Sequence, residues 1–306
     1  MSSLCIQTRD LSKVYEGKLA LNRVDLDIRS GGVNAIVGSN GAGKSTLFKV
    51  LLGMITPSFG EATILGCDAS KLDRSIRQKV GYVNEEHSLP DWMRVDQVIA
   101  FQRQFYPQWD ESLFASVLGY FNVNSKQKIT SLSRGERAGV NLALAFAQKP
   151  DLLILDEPTL GLDVIAKQSF LEAILFTEVN YQTTFIYCSH QMEEVQRVAD
   201  NLIVMEQGQI QHNNDPDSFS DRVSNLIVER FSNWQTLREH PKVLKINKLD
   251  DLLHIWVLDN DGEIESLLAS LDAQLLNRQA ANLEQAVNAF LTRKHSAPKF
   301  ALGEQA

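Results

Sequence analysis

Alternating apolar and polar residues predict several β-strands in the first part of the chain. The spacing of apolar residues becomes helical from Thr46 to Met54, and Pro57 follows as a stop signal. The expected strands lie at residues 4–11, 19–28, 33–37, 61–65 and 80–83.

Aromatic residues at helix-like spacing distinguish the segment from about residue 87 to 147 and predict an inserted, mostly helical subdomain. Short apolar runs then alternate with helical segments of about 10–15 residues, which predicts an α/β fold with a parallel sheet and helices on both faces. The expected elements are strands at 152–155, 183–187 and 201–205 and helices at 164–179 and 191–198.

A polar, turn-rich stretch that ends at Asp221 predicts a domain boundary, and its part from Asp215 onward is interpreted as a solvated linker. The chain is therefore predicted to form two domains, residues 1–215 and residues 216–306, of which the second is a small α+β accessory domain. Its expected elements are strands over KVLKIN and LLHIWVLD and helices at 261–271 and 282–293.

The composition excludes several classes of function. Lys and Arg number 30 against 38 Asp and Glu, and the net charge of −8 argues against broad nucleic-acid binding. Cys5, Cys67 and Cys188 lie far apart, which suits a reducing compartment and indicates no metal site. The N-terminus lacks a signal-peptide pattern, and no apolar stretch reaches the roughly 20 residues of a membrane span. We expect a soluble, cytoplasmic protein that would need another chain for any work at a membrane.

A glycine-rich turn between a predicted strand and a predicted helix fits the phosphate-loop pattern GxxxxGK[ST]. Its glycines let backbone N–H groups approach phosphate oxygens, and the helix N-terminus adds a positive dipole end. We expect Lys44 to bridge the β- and γ-phosphates and the Ser45 hydroxyl to ligate Mg²⁺, unless the turn binds nothing. The predicted nucleotide-binding residues here are Gly38, Ser39, Asn40, Gly41, Ala42, Gly43, Lys44, Ser45 and Thr46.

A later apolar strand ends in two carboxylates, Asp156 and Glu157. Strand ends of a parallel sheet line the ligand crevice, so Asp156 can reach Mg²⁺ through water. Glu157 would orient or deprotonate an attacking water molecule. Alternatively, both carboxylates only solvate the end of the strand.

Residues 132–136, with the sequence LSRGE, resemble the LSGGQ signature of ABC-type ATPases. Three further residues occur in the order typical of that family. Tyr15 resembles the aromatic residue that stacks on adenine, and His190 resembles the histidine that senses the γ-phosphate. Asp163 lies in a segment that resembles the loop by which such proteins contact a partner ATPase. The resemblance covers about residues 4–212.

The resemblance implies a P-loop NTPase of ABC type in residues 1–215, with ATP and Mg²⁺ as cofactors and Glu157 and His190 as catalytic residues. The implied fold has a mainly parallel sheet, an N-terminal antiparallel β part, the helical subdomain and the C-terminal appendage. A second ATPase chain and an integral membrane permease are the implied partners, and the subunit would power export from the cytoplasmic face of the cell membrane. The signature residues, which would contact the partner's nucleotide, are Ser133, Arg134, Gly135 and Glu136.

Departures from the family pattern affect the expected turnover. Arg134 and Glu136 replace a glycine and a glutamine of the signature, and Glu85 stands where a glutamine usually contacts Mg²⁺ and water. Glu85 could still ligate the metal. The signature could also be simply a capped helix with Ser133 as its N-cap. The sequence leaves two alternatives to the transporter function. One is a soluble ABC ATPase that acts on ribosomes or DNA, and the other is a nucleotide-dependent sensor that hydrolyses little ATP.

Overall fold

The computed structural model describes residues 3–259 and 261–293, and the chain divides between Asp215 and Pro216 into two compact units. The strands of the first unit are β1 (Leu4–Tyr15), β2 (Lys18–Arg29), β3 (Val33–Val37), β4 (Phe59–Ile64), β5 (Cys67–Asp68), β6 (Val80–Val83), β7 (Leu152–Asp156), β8 (Thr184–Cys188), β9 (Asn201–Glu206) and β10 (Gln209–Asn214). Its helices are α1 (Lys44–Leu51), α2 (Arg74–Arg77), α3 (Val95–Gln102), α4 (Glu111–Gly119), α5 (Arg134–Ala147), α6 (Val164–Asn180) and α7 (Met192–Val198).

Two sheets organise the first unit. The antiparallel sheet has the order β2-β1-β4-β5, and the six-stranded sheet has the order β10-β9-β3-β8-β7-β6, parallel except between β9 and β10. Leu153 and Leu155 of β7 pack with α3 to α6, whereas Leu152 and Ile154 belong to the core that includes α1. Both faces of the parallel sheet are therefore covered, and the carboxyl ends of β3, β6, β7 and β8 lie at one edge. The predicted α/β architecture is confirmed.

Helices α3 to α5 lie between β6 and β7 and form the inserted helical subdomain. Gly139 of α5 allows close packing of the Phe121 ring, because a Cβ at Gly139 would lie 2.2 Å from it. Other aromatic residues of this segment face outward, with Trp92 81% exposed and Phe101 53% exposed. Within the described residues, no helix has the length and the hydropathy that crossing a membrane requires.

The elements of the second unit are α8 (Pro216–Asp221), β11 (Val223–Glu229), β12 (Val243–Leu249), β13 (Leu252–Leu258), α9 (Glu263–Ser270), β14 (Leu275–Ala280) and α10 (Leu283–Leu291). Its strands form an antiparallel sheet with the order β12-β13-β11-β14. A 3₁₀ turn at Trp234–Glu239 connects β11 to β12, and α9 connects β13 to β14, which gives the split βαβ arrangement of ferredoxin-like folds.

Individual helices and strands were predicted less accurately from the sequence in the second unit than in the first. The predicted solvated linker is wrong, because α8 occupies most of it and Phe219 is buried against Phe290 with ring centroids 5.6 Å apart. The sequence pattern does not indicate β11, where Ser224 and Asn225 interrupt the apolar run, or β14, which is exposed along its whole length. Backbone pairing rather than side-chain burial therefore defines β14.

Candidate functional site

The phosphate-loop pattern folds into the turn between β3 and α1, and α1 begins inside it at Lys44, earlier than predicted. A Cβ at Gly38 would lie 2.3 Å from the Met205 carbonyl oxygen. Gly43 has a φ of +105°, and a Cβ there would lie 2.5 Å from the Ala20 carbonyl oxygen. Both positions therefore require glycine, and their packing holds the loop against the strands behind it.

The Lys44 ammonium is held by the loop itself. Its Nζ donates hydrogen bonds to the carbonyl oxygens of Gly38 at 2.7 Å and Ser39 at 3.3 Å. Helix α1 begins at the same loop, and its first N–H groups have no intrahelical partner, so the helix N-terminus favours an anion. Cationic and N–H donors are thus available together to a bound phosphate.

A cavity of 580 Å³ opens over this loop and brings together most of the predicted binding residues. Gly38 and Ser39 are not part of its lining and contact Lys44 instead. Asn84 and Glu86, which flank Glu85, also line the cavity, although the motifs do not point to them. The full lining is Tyr15, Lys18, Ala20, Asn40, Gly41, Ala42, Gly43, Lys44, Ser45, Thr46, Asn84, Glu85, Glu86, Asp156 and Glu157.

Asp156 ends β7 with a partly buried carboxyl group. Burial raises the pKa of this carboxyl, the charge of Glu157 raises it further, and Lys44 opposes the shift. The Tyr82 hydroxyl lies 3.5 Å from Asp156 Oδ2, and burial together with the Asp156 charge raises the pKa of Tyr82 to about 12. Burial and the neighbouring Glu157 carboxylate thus disfavour the negative charge of Asp156, and Lys44 compensates it only in part.

Glu157 is held between the ends of β7 and β8. Its φ of 51° is left-handed, and its backbone N–H donates to the Cys188 carbonyl oxygen at 3.1 Å. One carboxylate oxygen, Oε1, accepts a contact from Cys188 Sγ at 3.6 Å, and the other, Oε2, lies 2.8 Å from His190 Nδ1. The structure thus pairs the two residues that the sequence singles out as catalytic, and a carboxylate in this position can accept a proton from water.

The signature residues lie at the start of α5 and are not part of the cavity lining. Ser133 Oγ accepts from the Glu136 N–H at 3.2 Å, and Glu136 Oε2 accepts from the Ser133 N–H at 2.7 Å, so the capped-helix geometry is present. A Cβ at Gly135 would lie 2.7 Å from Ala166 Cβ.

The loop after β7 packs against the signature. The Arg134 guanidinium lies against Gly161, where a Cβ would come within 2.7 Å of Nη1. Asp163 caps α6 by accepting from the Ala166 N–H at 2.9 Å. Signature and Asp163 loop therefore share one surface of the first unit.

Two buried polar residues near the site, His87 and Glu194, were not predicted from the sequence. His87 Nε2 lies 2.7 Å from the Pro158 carbonyl oxygen and links the loops after β6 and β7, and burial lowers its pKa. Glu194 accepts hydrogen bonds from hydroxyl groups near Glu157 and His190. No local motif marks either residue, because their partners lie far away in the sequence or on a neighbouring strand.

Comparison with known proteins identifies the family. A model of the ABC transporter family matches residues 21–160. The Nod factor export ATP-binding protein I of Rhizobium johnstonii is 34% identical over 213 residues, which cover 68% of this chain and 68% of that protein. The sulfate/thiosulfate import ATP-binding protein CysA of Pseudomonas putida is 32% identical over 253 residues, or 79% of this chain and 77% of the relative. The ABC transporter ATP-binding protein YtrB of Bacillus subtilis is 23% identical over 280 residues, or 92% of this chain and 96% of YtrB.

Solved structures agree with this fold. A dimeric ATP-binding cassette in a post-hydrolysis state, bound to ADP and Pi, aligns with a TM-score of 0.61 at 21% identity and covers 69% of this chain and 98% of that one. The predicted ABC-type P-loop fold is thereby confirmed. The chain belongs to the ABC transporter family, in which it is an ATP-binding subunit that hydrolyses ATP.

Proposed function

We propose that this subunit powers an exporter by closing on a second ATPase chain around ATP and reopening after hydrolysis. One observation supports this most directly: Glu157, which is paired with His190, lines the same cavity as Lys44 and Asp156. Groups suited to bind phosphate, to hold a metal ion and to activate water therefore share one cavity.

Nucleotide binding is assigned to the phosphate loop and its surroundings. Loop N–H groups and Lys44 would bind the β- and γ-phosphates, and Tyr15 would stack on adenine. Ser45, Glu85 and Asp156 present oxygen atoms to the same cavity, a donor set that suits Mg²⁺. When bound, Mg²⁺ supplies neutralisation of phosphate charge. The raised pKa of Asp156 supports this role, because a poorly compensated carboxylate gains most from a nearby cation.

Hydrolysis is assigned to Glu157 and His190. Glu157 would accept a proton from the attacking water, and its contact with His190 fixes the direction of the carboxylate. Because Nδ1 of His190 faces Glu157, Nε2 is left for the γ-phosphate. Both side chains follow neighbouring parallel strands, so the sheet itself sets their separation.

A second ATPase chain would cover the surface formed by the signature and the Asp163 loop. Val164 and Ile165 follow Asp163 and are 80% and 79% exposed, which favours a protein partner at this surface. Ser133 and Gly135 at the N-terminus of α5 would then bind the γ-phosphate of the partner's ATP. The dimeric cassette described above, which is similar in fold, supports this arrangement.

A separate membrane permease is the proposed second partner, which places the subunit on the cytoplasmic face of the cell membrane. The exposed rings of Trp92 and Phe101 give the helical subdomain an apolar surface for this contact. Export is preferred over import because the chain resembles exporter subunits and Nod factor export proteins, although the sulfate import relative has the opposite direction.

The substitution Glu157→Gln tests the ATPase mechanism. We expect the variant to bind ATP but to lose hydrolysis by on the order of 10²-fold or more, because the amide cannot accept the proton. Glu61→Gln, on an exposed strand position, serves as the control and should hydrolyse ATP normally. Unchanged turnover in Glu157→Gln would refute the assigned role.

A pull-down of the tagged protein from detergent-solubilised membranes tests the partner. Recovery of a hydrophobic multi-span protein that stimulates ATP hydrolysis would support a transporter. Recovery of ribosomes or DNA would instead favour the soluble ABC ATPase, and negligible hydrolysis even with the permease would favour a sensor.

A further inference from the structure

The buried carboxylate of Glu194 gathers several polar side chains beside the proposed catalytic pair. Glu194 lies on α7 and is only 5% exposed. Its Oε2 accepts hydrogen bonds from the hydroxyls of Tyr187 at 2.7 Å, Thr159 at 2.7 Å and Ser189 at 2.9 Å. Its Oε1 lies 3.9 Å from Lys167 Nζ.

Two of these hydroxyls belong to segments that carry the proposed catalytic pair. Thr159 follows Glu157 in the loop after β7, and Ser189 immediately precedes His190 at the end of β8. Thr159 and Ser189 are each 1% exposed, so solvent water cannot replace Glu194 as the acceptor of their hydrogen bonds. In addition to the pairing of β7 with β8, one carboxylate oxygen therefore joins the segment after Glu157 to the residue before His190.

The cation near Glu194 comes from α6, the helix that Asp163 caps. Lys167 lies on α6, and its backbone N–H donates to the carbonyl oxygen of Asp163, the N-cap of that helix, at 3.0 Å. Its ammonium also donates to Gln191 Oε1, in the segment after His190. Lys167 thus connects the Asp163 loop to the other side of the cluster.

A carboxylate suits this cluster, in which Oε2 takes all three hydroxyl hydrogen bonds, whereas Oε1 has no hydrogen-bond partner among the described residues. Glu194 is an acceptor-only group when ionised, so all three hydroxyls can donate to it, and the nearby Lys167 ammonium offsets its buried charge. A glutamine at this position would bring N–H donors toward the ammonium and leave them without an acceptor. The geometry therefore depends on charge as well as on shape.

We propose that Glu194 is a positioning residue for ATP hydrolysis: it fixes His190 against Glu157 and couples this pair to the Asp163 loop. The inference rests on the proposed roles of those residues. Movement of the Asp163 loop against a partner chain would be passed through Thr159 and Lys167 to the segment that carries His190.

The first test compares Glu194→Gln with Glu193→Gln, its exposed neighbour on α7. We expect Glu194→Gln to lower kcat about 10- to 100-fold, because small displacements of catalytic groups have effects of this size. The KM for ATP should stay within about twofold of the parent value, because Glu194 does not line the nucleotide cavity. Glu193→Gln should match the parent protein. Equal kcat in both variants, or a loss of ATP affinity parallel to the loss of kcat, would overturn the proposal.

A double-mutant cycle separates positioning from general destabilisation. In a His190→Ala background, Glu194→Gln should lower kcat by less than about threefold, because the residue through which it acts is already absent. An undiminished effect in that background would overturn the proposal. If Glu194→Gln does not fold, Thr159→Val, which removes one donor, takes its place in the same cycle. Parental turnover in Glu157→Gln would instead refute the proposed ATPase mechanism itself, so the two failures are distinguishable.

Discussion

The two units contain open cavities of similar volume, 580 Å³ in the first and 600 Å³ in the second, but their walls differ in origin. The first cavity combines segments that follow β3, β6 and β7 and lie far apart in the sequence. The second is lined only by residues 229–235, Asp251 and Leu252. Parallel strands bring their carboxyl ends to one edge, whereas antiparallel neighbours send consecutive connections to opposite edges. Strand direction, more than cavity size, determines where catalytic groups can be gathered.

Removal of one cation from each cavity should affect ATP hydrolysis very differently in the two units. Lys44→Ala should lower kcat/KM for ATP by about 10³-fold or more, because a cation that neutralises phosphate charge is lost. Arg230→Ala removes a cation from the second cavity and should leave ATP hydrolysis within about twofold of the parent. Steady-state ATPase assays of both variants decide the matter. A comparable loss in Arg230→Ala would break the contrast between the units.

Each cavity is lined by an aromatic residue that lies beside a cation. Lys13 Nζ lies 5.2 Å from the Tyr15 ring centroid, and the Arg238 guanidinium lies 5.0 Å from the Trp234 ring. Tyr15→Ala should raise the KM for ATP roughly 5- to 30-fold, which corresponds to the loss of about 1–2 kcal/mol of stacking on a base. Tyr15→Phe should restore affinity, and Trp234→Ala should not change it. Normal KM in Tyr15→Ala would remove Tyr15 from the adenine site.

The same contrast explains how much the sequence could predict. In the first unit, compact apolar runs lead directly into GSNGAGKS and into Asp156 and Glu157, so local pattern identifies strand, loop and candidate chemistry together. These segments meet at one edge of the sheet because strands that alternate with helices form a parallel sheet. The site could thus be anticipated because its parts are each local and the sheet assembles them.

Other features depend on contacts between distant residues, which a local pattern does not record. Phe219 of α8 packs against Phe290, which lies far along the chain. Strand β14 carries no buried face and is held by pairing with β11. Glu194 sits on a short helix whose charged sequence indicates exposure, yet it is buried by partners on β8 and on the loop after β7.

The smallest effects are expected from two aspartates whose pKa values are shifted in opposite directions. Burial raises the pKa of Asp156 above its ordinary value of 3.8 in the first unit, and the Arg222 guanidinium lowers the pKa of Asp259 in the second. Ionised Asp156 therefore destabilises the ligand-free fold as pH rises above its unfolded-state pKa. Ionised Asp259 stabilises the fold above its unfolded-state pKa, and this stability is lost as pH falls through the folded pKa.

Thermal unfolding of the nucleotide- and metal-free protein should show that removal of these two charges changes the Tm in opposite directions. At pH 7, Asp156→Asn should raise the Tm, because it removes a poorly compensated buried charge, and the gain should vanish below the unfolded-state pKa. Asp259→Asn should lower the Tm slightly, since its bidentate pair with Arg222 is partly exposed and contributes at most about 1 kcal/mol. That loss should also vanish at low pH. A change in Tm of the same sign for both variants would contradict the assigned environments. Changes of opposite sign would mean that the Asp156 carboxylate destabilises the first unit, whereas the Asp259 carboxylate stabilises the second.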